Sequence, residues 1–158
     1  MIQDDFSKMS RTTIINFEMF YKVEFACAVR GHHVYKTSWT PVLNEGLSCK
    51  KDTREEALSH DKHTVGVFKK DGTLVGHVPI EMSRIIDYFM QKNEKNFVTA
   101  TVIGPRKREI GLVVPANFST YTTERRVAEI LSKEILKIKT KYSHFDLQYE
   151  DKKICKTP

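Results

Sequence analysis

The chain has few of the residues that mark several large classes of proteins. Its 158 residues include three cysteines, five prolines and seven glycines. Cys27, Cys49 and Cys155 lie far apart without a Cys-x-x-Cys pair, which argues against a disulfide framework and against a thiolate zinc site. No apolar run reaches the length of a membrane span, and the N-terminus lacks the basic and then apolar pattern of a secretion signal. We therefore expect an intracellular protein with no membrane partner.

The motifs of the common catalytic sites are also missing. The sequence contains no nucleophile elbow, no glycine-rich phosphate loop and no His-Glu-x-x-His pair. His60 and His63 flank Asp61 and could be read as zinc ligands. On a strand, however, two histidines three positions apart would face opposite sides, and on a loop nothing would fix their geometry. The sequence therefore predicts a protein that is not an enzyme and has no metal or cofactor, with a metal-dependent hydrolase or nuclease as the remaining alternative.

Positive charge is present in excess. The chain has 26 lysines and arginines against 20 aspartates and glutamates, a formal net charge of +6. Such a balance is the electrostatic footprint of a protein that binds nucleic acid or another acidic surface, although a solvated basic surface has the same composition. The charge is spread over small clusters at residues 50–51, 69–70, 106–108, 137–141 and 152–153.

Period-two alternation predicts the strands. Between residues 17 and 30, Val23, Phe25, Cys27 and Val29 face one way and polar or small residues face the other, which is typical of a half-buried strand. Apolar runs on both sides of Asp71-Gly72 form a strong hairpin signal. Further strands are predicted at residues 47–51, 97–103 and from 110 to 114 or slightly beyond. Several short strands with one intervening helix favour a small barrel over a parallel α/β sheet.

Helical spacing appears in two segments. The first helix begins after Pro79, which fits a first helical turn. The second begins at Thr122 or Thr123, where a threonine is available as N-cap, and extends through Ile138. In the first helix, the apolar positions are Met82, Ile85, Ile86, Phe89 and Met90, and the outward positions are Glu81, Arg84, Asp87 and Gln91.

Three segments, in this order, resemble the motifs of the HIRAN domain family. They are residues 44–52, residues 59–67 and residues 71–78, and a helix follows the third, as in the family. The resemblance spans roughly residues 22–121. It implies a mainly β (β-rich α+β) fold: a small OB-like six-stranded β-barrel, with a helix between strands four and five and a C-terminal helix. We assign residues 17–142 to this domain, 1–16 to a flexible N-terminus and 143–158 to a C-terminal tail.

The resemblance also implies a function. In the family, the barrel is a socket for single-stranded DNA that ends in a free 3′-hydroxyl. Asp61 matches the motif aspartate that accepts a hydrogen bond from that hydroxyl and would repel a terminal phosphate. His77 matches a histidine that contacts the nucleotide end, and Tyr35 falls where the family stacks aromatic rings on bases.

Several positions depart from the family pattern. His33-Val34-Tyr35 stands in place of Arg-Tyr-Tyr, so that one ring and one permanent cation are missing. His60 replaces the tyrosine of Asn-Pro-Tyr and could offer a substitute stacking surface. Ile80 occupies a position that is often lysine or arginine, and the loop between Asp52 and Asp61 is longer. These changes weaken the case for 3′-end capture but not the case for the fold.

The leading hypothesis is a non-catalytic module that binds nucleic acid, with single-stranded DNA suspected and 3′-hydroxyl ends as the finer reading. The alternative is a protein-interaction or regulatory module that has lost DNA-end binding. Asp61 could equally cap its own turn. The basic hairpin tip at residues 106–108 could bind phosphates or only make an exposed turn soluble. If the source is eukaryotic, we expect a nuclear protein. The predicted nucleic-acid-binding residues are His33, Tyr35, His60, Asp61, His77, Arg106, Lys107 and Arg108.

Overall fold

The structure is a computed structural model that describes residues 19–31, 39–109, 111–151 and 154–157. Within these ranges, the chain forms eight strands and three helices. The strands are β1 (Phe20–Arg30), β2 (Gly46–Lys51), β3 (Val65–Phe68), β4 (Leu74–His77), β5 (Phe97–Val102), β6 (Lys107–Glu109), β7 (Gly111–Thr122) and β8 (Cys155–Thr157). The helices are α1 (Glu55–His60), α2 (Ile80–Lys92) and α3 (Arg125–Lys141).

Six of these strands close into an antiparallel barrel. The order is β7-β5-β2-β3-β4-β1, and β1 closes the barrel by pairing with β7 from Tyr21 to Arg30. The short strands β6 and β8 extend the sheet from β7 and β1. The predicted fold class is confirmed: a mainly β barrel of six strands, with α2 between its fourth and fifth strands and α3 after the last.

The alternation in β1 produces the barrel core. Val23, Phe25 and Val29 are buried, and Phe25 stacks on Phe118 of β7 with the ring centroids 5.3 Å apart. Burial of each such side chain contributes roughly 1.5–3 kcal/mol. The two strands share ten consecutive residue pairs. This long pairing joins distant parts of the chain and fixes the barrel as one unit.

The Asp71-Gly72 hairpin forms as predicted. Gly72 has φ of +89°, a left-handed conformation that glycine adopts readily. The Asp71 carboxylate accepts a hydrogen bond from the backbone N–H of Thr73, at 2.9 Å. Behind this turn, Gly76 lies against β1. A Cβ atom at Gly76 would be 2.5 Å from Val29 Cγ1 and 2.6 Å from the carbonyl oxygen of Arg30.

Three predicted boundaries were wrong. The strand predicted near residues 110–114 is the first part of β7, which runs to Thr122, and the preceding basic turn contains β6. Helix α3 begins at Arg125, because Thr122 still belongs to β7 and uses its hydroxyl to accept a hydrogen bond from Glu124 N–H. The loop predicted between residues 52 and 61 contains α1.

The prediction that Asp87 faces outward was also wrong. Its side chain is 2% exposed. Lys51, His63 and Gln91 donate hydrogen bonds to its carboxylate at 3.1, 2.8 and 2.8 Å. Burial alone would raise the pKa of Asp87, but these donors lower it. Helix α2 therefore buries one paired carboxylate beside its apolar face.

The residues after α3 pack back onto the barrel. Gln148 exchanges two backbone hydrogen bonds with Ala26 of β1, and Leu147 and Tyr149 are buried. The Tyr149 hydroxyl is hydrogen-bonded to Ser132 of α3. The segment expected to form a tail thus covers one side of β1. No helix in the described ranges has both the length and the apolar character that a bilayer span needs.

Candidate functional site

Three of the predicted site residues meet in one cavity. His60, Asp61 and His77 line an open space of about 620 Å³, together with Arg30, Arg54, the exposed Glu56 and a few smaller or apolar side chains. We call this space the Asp61 cavity. It lies where the ends of β1 and β4 meet α1 and the first residue of α2. The hairpin therefore brings Asp61 and His77 to the same cavity.

The carboxylate of Asp61 is fixed by two hydrogen bonds. Its Oδ1 accepts from the backbone N–H of His63 at 2.9 Å, and its Oδ2 accepts from the Ser83 hydroxyl at 2.6 Å. The first bond is the turn cap that the sequence analysis had left as an alternative, and the second ties the turn to α2. An ionised carboxylate offers about four acceptor positions. These two bonds therefore leave capacity for a further donor.

A buried carboxylate that the sequence analysis did not single out organises the other side of the cavity. Asp52 is 3% exposed, and His77 Nε2 lies 2.7 Å from its Oδ2. Arg54 donates to Asp52 from its backbone N–H at 3.1 Å and from its guanidinium at 2.9 and 3.0 Å. Burial would raise the pKa of Asp52, but the bonds from Arg54 and His77 lower it to about 2. Asp52 is thus ionised and holds two cavity side chains in place.

Arg30 connects the cavity to the basic tip. It is the cross-strand partner of His77 on β4 and of Val113 on β7, and Val113 pairs in turn with Lys107 on β6. Cross-strand partners project from the same face of a sheet. Lys107, Arg30 and His77 therefore lie on one face along a line across four strands. The Arg30 guanidinium also pairs with Glu81 at 3.1 Å.

The remaining predicted residues are placed differently. Arg108 follows Lys107 on β6, and because side chains alternate along a strand, it projects from the opposite face. Arg106 is exposed just before that strand. His33 and Tyr35 lie outside the residues that the structure describes.

The two histidines that flank Asp61 contact different parts of the structure. His60 lines the cavity, whereas His63 pairs with Asp87 and contacts the Tyr88 ring with the centroids 5.0 Å apart. In the described part of the chain, no group of three or more His, Cys, Asp and Glu side chains is arranged to hold a metal ion.

Sequence reasoning missed Arg30, Asp52, Arg54 and Ser83 as members of the site. Asp52 ends the first of the three segments that resemble the family motifs, and Arg30 ends the first strand before a glycine. Both positions were visible in the sequence. Their contacts with residues far along the chain were not, because those contacts depend on strand register.

Comparisons with known proteins identify the fold independently. The model of the HIRAN domain family matches residues 24–123. The crystal structure of the HIRAN domain of human HLTF is 18% identical in sequence, with a TM-score of 0.53 over 75% of this chain and 93% of that domain. The NMR structure of the HLTF HIRAN domain in its DNA-bound conformation is 18% identical, with a TM-score of 0.52 over 78% of this chain and 93% of that domain. No curated protein matches this chain significantly. Because the family match covers more than half of the sequence and three-dimensional likeness extends over nearly all of the related domains, the chain belongs to the HIRAN domain family.

Proposed function

We propose that this chain is a non-catalytic module that binds single-stranded nucleic acid in the Asp61 cavity. The observation that carries this proposal is the grouping of Arg30, Arg54, His60 and His77 around the immobilised Asp61 carboxylate. The other carboxylate that lines the cavity, Glu56, is paired with Arg54. The net charge of +6 favours an anionic partner. Family membership adds support, since the HLTF HIRAN domain has a structure in a DNA-bound conformation.

Each cavity residue has a role that its chemistry suits. Arg30 and Lys107 share a face and would contact successive phosphates, which position a strand without reading its sequence. His60 and Ile80 offer flat and apolar surfaces against a base or sugar, and Ile80 is 63% exposed. Asp61 would accept a hydrogen bond from a terminal 3′-hydroxyl, while Asp52 keeps Arg54 and His77 oriented.

The binding proposal is tested by a fluorescence-anisotropy titration with a labelled oligothymidine of about 12 nucleotides, a length within the range of small single-strand sites. Affinity should fall between about 50 mM and 200 mM salt, and three phosphate contacts would give a log–log slope of about −2. Arg30→Ala and Lys107→Ala should each weaken binding and reduce that slope. Lys133→Ala is the matched control, because Lys133 is exposed on α3 away from the cavity. A flat titration at low salt would exclude nucleic-acid binding.

The finer proposal concerns the strand end. An oligothymidine with a 3′-phosphate should bind more weakly than one with a 3′-hydroxyl, because Asp61 repels the phosphate and loses its donor. Asp61→Asn should remove most of this preference, while the amide oxygen can still accept the backbone bond from His63. Asp71→Asn is the control, since Asp71 also caps a turn but lies at the hairpin tip. Equal binding of both ends by the unaltered protein would refute end reading and leave strand binding intact.

A protein-interaction role is the second candidate. It is favoured by the two hydrogen bonds that already occupy Asp61 and by the Asp52 carboxylate that neutralises part of the charge of Arg54. Under this alternative, the oligonucleotide titrations give no binding, and the cavity residues act only in stability.

A further inference from the structure

A second surface lies between helices α2 and α3. There the two helices enclose a groove of about 750 Å³, which we call the α2–α3 groove. Its floor is apolar and includes Ile85, Phe89, Val127, Leu131 and Ile138. Both helices pack against the barrel through other residues, such as Met82 and Ile86 of α2 and Ala128 and Ile135 of α3. Phe89 and Leu131 of the floor also belong to that core, so the part of the groove that the core does not use is its outer, exposed part.

Exposed apolar side chains are concentrated at this groove. In the described ranges, nine large hydrophobic residues are exposed, and four of them line it: Ile80, Tyr88, Ile130 and Tyr142, at 63, 44, 47 and 37% exposure. Single exposed apolar residues are normal on protein surfaces, but a contiguous group beside a groove marks an interaction site.

The rim of the groove is basic. Arg84, Lys92, Lys137 and Lys141 line it, against two carboxylates. One carboxylate, Glu81, pairs with Arg30 outside the groove, and the other, Glu134, pairs with Lys137. The Arg84 guanidinium lies 5.6 Å from the centre of the Tyr88 ring, and the Lys141 ammonium lies 5.2 Å from that of Tyr142. The cationic side chains thus surround the apolar surface. Such a surface is complementary to a partner whose apolar residues are flanked by negative charge.

The dimensions fit a helix. Helix α2 contributes 13 residues along one wall, so the groove is about 18 Å long. That length accommodates roughly three helical turns, and an amphipathic helix places apolar anchors along one face at three- and four-residue spacing. A nucleic-acid strand would leave its phosphates over a largely apolar floor, which is a poorer match.

We infer that the α2–α3 groove binds an acidic amphipathic helix of a partner protein. The apolar face of that helix lies on Ile80, Tyr88 and Ile130, and its carboxylates meet Arg84, Lys92 and Lys141. This site is separate from the Asp61 cavity except at Ile80, which lines both. The inference does not depend on nucleic-acid binding.

The probe for this inference is a synthetic peptide of about 14 residues, with leucines on one helical face and glutamates on the other. The comparison peptides replace glutamate with lysine or scramble the leucine spacing. The full chain, labelled at isoleucine δ1 methyl groups, is titrated by NMR. The acidic peptide should shift Ile80 and Ile130. The methyl signals of two other residues should not shift: Ile103, which is as exposed as Ile130 but lies outside the groove, and the buried Ile86. Neither comparison peptide should shift Ile80 or Ile130 at the same concentration.

Charge reversals give the quantitative test. Arg84→Glu and Lys141→Glu should each reduce the affinity for the acidic peptide at least about fivefold at low salt and increase the affinity for the lysine peptide. Lys133→Glu makes the same change outside the groove and should alter affinity less than about twofold. Ile130→Asp should abolish binding of the acidic peptide. Because Ile130 is half-exposed, this variant should still fold, and its melting temperature checks that it does.

Several outcomes would overturn the inference. Equal binding of the acidic, basic and scrambled peptides would show a nonspecific apolar surface. A concentration-dependent dimer that Ile130→Asp dissociates would make a second copy of the chain the occupant. Shifts of Ile130 by oligothymidine, with displacement of the peptide, would assign the groove to nucleic acid. No methyl shift with any probe would leave the groove without a partner of this chemistry.

Discussion

Replacement of Asp52 by asparagine should destabilise the fold by about 2 kcal/mol at neutral pH. The side chain is 3% exposed and accepts hydrogen bonds from Arg54 and His77. Folding lowers its pKa from 3.8 to about 2. That difference corresponds to about 2 kcal/mol of stabilisation by the ionised form. Because Arg54 is 43% exposed, solvent screening reduces its share, and we expect no larger effect.

The pH dependence has a definite sign. A carboxyl group whose pKa is lower in the folded state stabilises the protein above its unfolded pKa, and the contribution is lost as the pH falls through the folded pKa. For Asp52, the stabilisation is therefore lost over a pH range that extends from near pH 4 to pH 2 and below. The stability difference between the unaltered protein and Asp52→Asn should have its full value at pH 5 and 7, about half of it at pH 3, about a sixth near pH 2 and almost none near pH 1.

Urea unfolding followed by tryptophan fluorescence measures this difference. The chain has one tryptophan, and Trp39 is 2% exposed, so its emission reports on the core. Asp151→Asn is the matched control, because it makes the same chemical change at an exposed site and should alter stability by less than about 0.5 kcal/mol. A loss in Asp52→Asn that stays constant from pH 7 to pH 3, or that is below about 0.5 kcal/mol at pH 7, would refute the reasoning.

Two further substitutions test the packing around the site in the same urea assay. Gly76→Ala should lower the free energy of unfolding by at least about 2 kcal/mol, because the new methyl group would clash with Val29 and with the carbonyl of Arg30. The control is Gly46→Ala, whose new methyl group would have no atom within 4 Å and should change stability by no more than about 0.5 kcal/mol. Equal effects of the two substitutions would contradict the close approach of β1 and β4. Asp87→Asn should cost about 2 kcal/mol at pH 7, because the partly buried Lys51 and His63 would lose their charged acceptor, and an effect no larger than that of Asp151→Asn would contradict this.

Local patterns predicted the parts of the fold that depend on local physics. The alternation of β1 depends only on the period of a strand, and the hairpin at Asp71-Gly72 depends on a turn that favours glycine. The length of β7 could not be predicted in this way, because Pro115 stands within it and cannot donate to a ladder. In the barrel, the Pro115 carbonyl instead accepts a bond from Ile103 N–H, and the strand continues beside β1.

The buried carboxylates show a second limit of sequence reasoning. An aspartate in a polar stretch is normally exposed, and the periodicity of α2 placed Asp87 on its outer side. Burial became tolerable only because Lys51 and His63 approach from 36 and 24 positions away along the chain. Asp52 likewise meets His77 from 25 positions away. Such pairs follow from barrel closure, which a pattern within one element does not contain.

At Asp61, the structural role and the proposed binding role need not exclude each other. The sequence left a turn cap and a ligand acceptor as alternatives, and the structure contains the cap together with a bond from Ser83. Ordering a side chain on binding costs free energy, and a carboxylate that the fold already holds avoids most of that cost. The cap therefore supplies the fixed geometry that the proposed recognition of a strand end requires. Asparagine at this position would retain the bond to His63 and lose the charge, so the proposed ligand role can be tested while the turn remains.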